Sequence, residues 1–105
     1  MDFEISNIPQ REIITGFKAR FIHSEHTTTA FWEVEAGAEL HLHAHIHEQI
    51  SIVTEGQFQM TIDNITKVYS SGMIVIIPSN IEHSGKALTA CKITDVFSPV
   101  REDYK

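Results

Sequence analysis

The stretch His41-Leu42-His43-Ala44-His45-Ile46-His47-Glu48-Gln49 carries four of the chain's seven histidines. In an extended strand successive side chains point to opposite faces, so residues two apart share a side. His43 and His45 are therefore expected to present two imidazoles to one side. A further ligand a few residues later can return on the adjacent antiparallel strand. His83 is the only histidine beyond position 47, which makes it the natural third imidazole from a distant strand. His41 and His47 have the same parity and stay open as ligands, as groups that orient ligands, or as exposed side chains. His23 and His26 are expected on a solvated loop or strand end.

Outward from this cluster, segments rich in Val, Ile, Thr and Phe recur between turn signals, the pattern of an all-β chain. Candidate strands are Phe17–His23, Thr29–Val34, Glu39–His43, Gln49–Thr54, Gln57–Ile62, Thr66–Tyr69, Met73–Ile77 and Ala90–Phe97. Glu55-Gly56 and Asp63-Asn64 read as hairpin turns. Ser71-Gly72 precedes one strand and Pro78-Ser79-Asn80 ends it. The only helical expectation is a short turn near Ile8–Ile14. Many short strands in 105 residues imply a sandwich or a closed barrel in a single domain, residues 1–105. The apolar N-terminal segment 1–16 is expected to pack on the barrel or on a partner subunit.

Composition narrows the function. A net charge of −6 argues against nucleic acid, whose phosphates need a basic patch. No apolar run reaches the roughly 18 residues of a membrane span, so no membrane role is expected. Asp2 and Glu4 stand where a signal peptide would be basic, and a cytoplasmic protein is the expectation. Cys91 is the only cysteine; it lies among apolar residues and reads as an inert core thiol.

Two spaced motifs complete the pattern. Gly37, five residues, His43-x-His45, three residues, Gln49, six residues and Gly56 resemble the first cupin motif. Gly72, five residues, Pro78-x-Asn80, two residues and His83 resemble the second. The resemblance implies an all-β, double-stranded β-helix barrel of the jelly-roll kind. It implies one divalent metal ion in the open mouth, held by His43, His45, Gln49 and His83, and a homodimer as the usual assembly. Glu48 would replace Gln49 if the turn were one residue longer, but Gln49 keeps the spacing to Gly56. Gln49 stands where many cupins carry glutamate, Asn80 where glycine is usual, and Ala87 where asparagine is common. Asn80 suits its place because Asn tolerates left-handed backbone.

Three imidazoles and an amide oxygen are all neutral, so the ion keeps its formal charge of about +2. That suits Lewis-acid work on an anionic or carbonyl-bearing substrate. Manganese, iron, nickel, cobalt and zinc all fit such a set, and the sequence does not choose among them.

The second informative stretch is Asp95-Val96-Phe97-Ser98-Pro99-Val100-Arg101-Glu102-Asp103-Tyr104. Asp95 and Phe97 share a strand face, Pro99 ends the strand, and Arg101 is the residue type that grips a carboxylate bidentately. The plain alternative pairs Asp95 with Lys92 and leaves Arg101 in a solvated tail. The stretch is similar to the ending of the KdgF-like cupins that act on unsaturated uronates in pectin and alginate breakdown. That resemblance implies that Asp95 is the acid/base residue, Phe97 a wall of the sugar site, and Arg101 a substrate-binding group. The implied activity is conversion of a 4,5-unsaturated uronate monosaccharide to a linear keto-uronate, with a small anionic sugar or carboxylate as partner. Two other classes compete: another metal-dependent cupin enzyme (dioxygenase, lyase or sugar isomerase), and a non-catalytic cupin that binds a sugar or metabolite. One barrel hosts many chemistries, so the side chains must decide.

Overall fold

A computed structural model describes residues 1–105. Ten strands follow one another: β1 Arg11–Ile14, β2 Phe17–His23, β3 Thr28–Val34, β4 Glu39–His43, β5 Glu48–Glu55, β6 Gln57–Ile62, β7 Ile65–Ser70, β8 Ile74–Ile77, β9 His83–Ala87 and β10 Cys91–Ser98. They form two antiparallel sheets, six-stranded in the order β1-β2-β3-β10-β5-β8 and four-stranded in the order β4-β9-β6-β7. This is the expected jelly-roll barrel. The core lies between the sheets: Ala19, Trp32, Val53 and Ile93 from the larger meet Phe58, Met60 and Ala87 from the smaller. Alternation governs β10, where Cys91, Ile93, Asp95 and Phe97 point inward and Lys92 and Ser98 outward.

Three expectations need correction. The Ile8–Ile14 region is not a helical turn: a single 3-10 turn sits earlier, at Ile5–Asn7, and Arg11–Ile14 is strand β1 paired with β2. The β-branched pair Ile13-Ile14 favours extended backbone once a strand edge is there to receive it. Glu55-Gly56 is not a hairpin, because β5 and β6 lie in different sheets. It is a corner: Gly56 has φ +82°, and a Cβ there would meet the Ala90 carbonyl oxygen at 2.1 Å. Strand β9 went unforeseen, because His83-Ser84-Gly85-Lys86-Ala87 has no β-branched or aromatic residue. Gly85 is required there by packing, since a Cβ would fall 2.4 Å from the Phe58 ring. By contrast, Asp63 and Asn64 do form a two-residue hairpin turn between β6 and β7, with φ +49° and +67°. Within the N-terminal segment, Arg11–Ile14 pairs with β2 of the same barrel and Ile13 adds to the core, while residues 1–7 are exposed.

Candidate metal centre

Strand β4 ends at His43, whose register partner on β9 is His83. The register slips between Leu40 and His43, a bulge that re-aims the end of the strand. His45 is therefore not the next inward residue of the same strand, as alternation alone implies. It lies in the connection to β5, where its carbonyl accepts the Asn80 N–H at 2.7 Å. Asn80 turns into that position at φ +64°, the left-handed backbone its place in the motif demands. Gln49 enters from β5 and is buried, while neighbouring Glu48 is exposed. Gln49, not Glu48, thus faces the imidazoles.

The ligand-capable nitrogens of His43, His45 and His83 all lie within 4.8 Å of one another. Each ring is aimed the same way. His43 Nδ1 contacts the His41 carbonyl at 2.7 Å, His45 Nδ1 the His47 carbonyl at 2.9 Å, and His83 Nδ1 the Ile81 carbonyl at 2.9 Å. A carbonyl only accepts, so Nδ1 carries the proton in all three rings and each Nε2 keeps its lone pair. His83 Nε2 is buried with no hydrogen-bond partner. His45 Nε2 and Gln49 Oε1 stand 3.2 Å apart. In this tautomer both are acceptors, a close pairing of lone pairs that a shared cation would satisfy. The donor set fits a divalent ion. His41 and His47 contribute their backbone carbonyls; the His41 side chain is exposed and His47 half-buried. His23 caps a strand end against Thr28, and His26 is exposed in the following loop.

Electrostatics favours the neutral form of His45 and His83. Burial, then the Arg101 charge and the His83 ring, lower His45 to about 4. Burial likewise lowers His83, although its hydrogen bond to Ile81 pulls the other way. Neutral imidazole is the metal-binding form.

A cavity of about 170 Å³ opens beside these rings, and it is lined also by Trp32, Ser51, Asp95, Phe97, Arg101 and Tyr104. Asp95 faces inward opposite Ser51 on β5. It is buried, and that burial raises its carboxyl from 3.8 to about 6. Ser51, Gln49 and the Trp32 indole lie around the carboxyl and draw it partly back. The set is not fully paired: the acceptor Asp95 Oδ1 and the donor Trp32 Nε1 are both buried and unpartnered. Lys92 pairs instead with Glu55 across the sheet, so the surface pairing of Asp95 does not occur. Phe97 packs edge-on to His45 at 5.8 Å. Arg101 is buried, its guanidinium 4.7 Å from the Phe97 ring centroid and 4.1 Å from that of Tyr104. The structure thus brings His43, His45, Gln49, His83, Asp95, Phe97 and Arg101 around one cavity. Ser51 was legible as the next inward residue after Gln49; Trp32 and Tyr104 carried no motif signal.

The cupin domain family matches residues 30–97. The chain is a cupin. No curated protein matches it. Among solved structures, an RmlC-like cupin from Shewanella frigidimarina is 30% identical, with a TM-score of 0.91 over 95% of this cupin and 91% of that chain. KdgF from Halomonas sp. is 23% identical, with a TM-score of 0.93 over 100% and 98% of the two chains. Oxalate decarboxylase from Bacillus subtilis, a protein with Mn(II) centres, is 23% identical at a TM-score of 0.82, and this cupin spans only 29% of it. The last two likenesses are likenesses of fold. No helix of the cupin is long and apolar enough to cross a membrane.

Proposed function

We propose that this cupin converts a 4,5-unsaturated uronate monosaccharide to the linear keto-uronate. The observation that carries the reading is Asp95: a buried carboxyl raised by burial to about 6 in the same cavity as the three clustered imidazoles. A pure binding pocket has no use for such a group, whereas a general acid/base is most effective with a pKa near the working pH. A cavity of about 170 Å³ is below the usual 300 Å³ floor of drug-sized sites and suits a single sugar ring better than a chain.

His43, His45, Gln49 and His83 would hold the ion, which when bound supplies positive charge for the substrate's carboxylate and neighbouring oxygen. Ring opening breaks the C1–O5 bond; its electron pair leaves on O5, and the C1 hydroxyl proton is transferred to give an aldehyde and an enol. Asp95 in its acid form then delivers a proton to C4, the enol O–H returns one to the carboxylate, and the C5 ketone forms. Asp95 ends as it began, so the reaction is an isomerisation. Phe97 walls the ring and Arg101 takes the carboxylate. The test is the decay of the substrate's ultraviolet absorbance with metal-loaded protein. A rate above the spontaneous one, abolished by chelator and by Asp95→Asn, supports the reading; a rate equal to the blank with metal bound refutes it.

We further propose that residues 1–105 act as one cupin unit and that two copies pair through the outer face of the six-stranded sheet. Two register-matched rows cross that face: Ile22, Thr29, Val96, Ile50 and Ile76, then Arg20, Phe31, Thr94, Ile52 and Ile74. Ile74 and Ile76 are about three-fifths exposed, and the one charge, Arg20, is bonded to the Ile8 carbonyl. A solvated sheet face is ordinarily polar. Five strands at about 4.8 Å give this patch a footprint of roughly 300 Å², against about 800 Å² per partner in a stable dimer. The exposed Met1, Phe3 and Ile5 extend it, since Ile5 lies beside Arg20, Phe31 and Thr94.

A further inference from the structure

The tail after β10 holds an ion pair whose two members differ sharply in exposure. Arg101 Nε donates to Asp103 Oδ1 at 2.9 Å and Nη2 to Oδ2 at 2.7 Å. The Arg101 side chain is 9% exposed and that of Asp103 58%, so the pair runs from the cavity wall to the outside. The guanidinium plane is also gripped by two rings, Phe97 at 4.7 Å and Tyr104 at 4.1 Å. The backbone on either side is tied down. The Arg101 N–H donates to Thr28 Oγ1 at 2.9 Å, and the Tyr104 carbonyl accepts from Arg11 Nη1 at 2.7 Å. A flexible side chain is thereby reduced to one orientation.

A guanidinium has five N–H donors on two usable edges. Asp103 occupies the side edge, Nε with Nη2. The guanidinium's hydrogen bonds go to Asp103 alone; the Tyr104 hydroxyl lies near enough to raise Arg101 but makes no hydrogen bond of acceptable geometry with the end edge, Nη1 and the second N–H of Nη2, and Arg101 lines the cavity. Planar two-point pairing with a carboxylate is what an end edge does best.

We propose that Asp103 is the positioning residue for Arg101, holding the guanidinium by its side edge so that its end edge receives the carboxylate of a uronate. This rests on the reading of Arg101 as the substrate's carboxylate partner. The acidic tail then serves to select a sugar acid over the neutral sugar of the same size. The opposite idea is that Asp103 is a placeholder which the substrate must displace. The two differ in sign. Positioning predicts that loss of Asp103 weakens carboxylate binding, and displacement predicts that it tightens it.

The experiment is calorimetric binding of D-galacturonate and of D-galactose to the metal-loaded protein, with turnover of the unsaturated uronate measured separately. Wild type is expected to bind the acid at least ten-fold more tightly. Asp103→Asn should lose most of that preference and raise KM while kcat changes little, Asp103→Glu should recover part of it, and galactose binding should not move. In an Arg101→Lys background, Asp103→Asn should have no further effect, a coupling that a merely structural role would not produce. Tighter or unchanged acid binding in Asp103→Asn overturns the proposal, as does a wild type that does not prefer the acid. A preference for the acid without turnover retains the clamp and removes the linearising reading.

Discussion

Asparagine at position 95 separates what the carboxyl does for chemistry from what its burial costs the fold. Asp95 rises from 3.8 to about 6 because the folded chain encloses it. Between those values the folded state holds a proton that the unfolded state has released. Stability therefore falls as pH rises across that window and is level above it. At about 1.4 kcal/mol per pH unit, the penalty at pH 7.5 is about 3 kcal/mol. Asparagine has the same shape and no charge to desolvate. In metal-free protein, Asp95→Asn should match wild type near pH 4 and be about 3 kcal/mol more stable at pH 7.5, a Tm gain of roughly 10 °C or more. His45 works in the other direction. Its depressed pKa of about 4 supports the fold above pH 6.5, and that support is lost as pH falls toward 4. Both proteins carry this contribution, so it cancels in the difference. Urea unfolding at intervals from pH 4 to 8 with a chelator present, followed by circular dichroism, reads the curve. A difference that does not vary with pH, or an Asn protein less stable at pH 7.5, would refute the argument that burial sets the Asp95 proton.

Gly56→Ala should destabilise by about 3 kcal/mol, since left-handed backbone and a clash with the Ala90 carbonyl act together; denaturant unfolding measures it. Gln49→Glu should keep the metal and move the alkaline limb of the pH–rate profile upward, because a second carboxylate beside Asp95 opposes its ionisation and keeps it in its acid form to higher pH. The double variant Ile74→Lys/Ile76→Lys should sediment as a monomer where wild type sediments as a dimer, with an unchanged far-ultraviolet spectrum.

The barrel was legible because alternation and turn residues agreed along most of its strands. It failed where tertiary packing chose the residues: Gly85 makes way for Phe58, and Gly56 turns a corner between sheets. The histidine cluster was legible from spacing, but not its placement, because a bulge and the Asn80 contact, rather than strand parity, bring His45 beside His43. Asp95 and Phe97 followed from the alternation of β10. Trp32 reaches the cavity from a strand whose pattern reads as ordinary core. Tyr104 reaches it from a tail with no periodicity, where Asp103 pairs with Arg101 from the solvent side.

The most direct test of the metal centre is an ion count. Protein stripped with chelator, reloaded with Mn(II) or Zn(II) and dialysed should carry one ion per chain by elemental analysis, while His43→Ala and His83→Ala, folded by circular dichroism, should carry none. A wild type that retains no ion, or variants that retain as much as wild type, would contradict the account of His43, His45, Gln49 and His83 as one metal site.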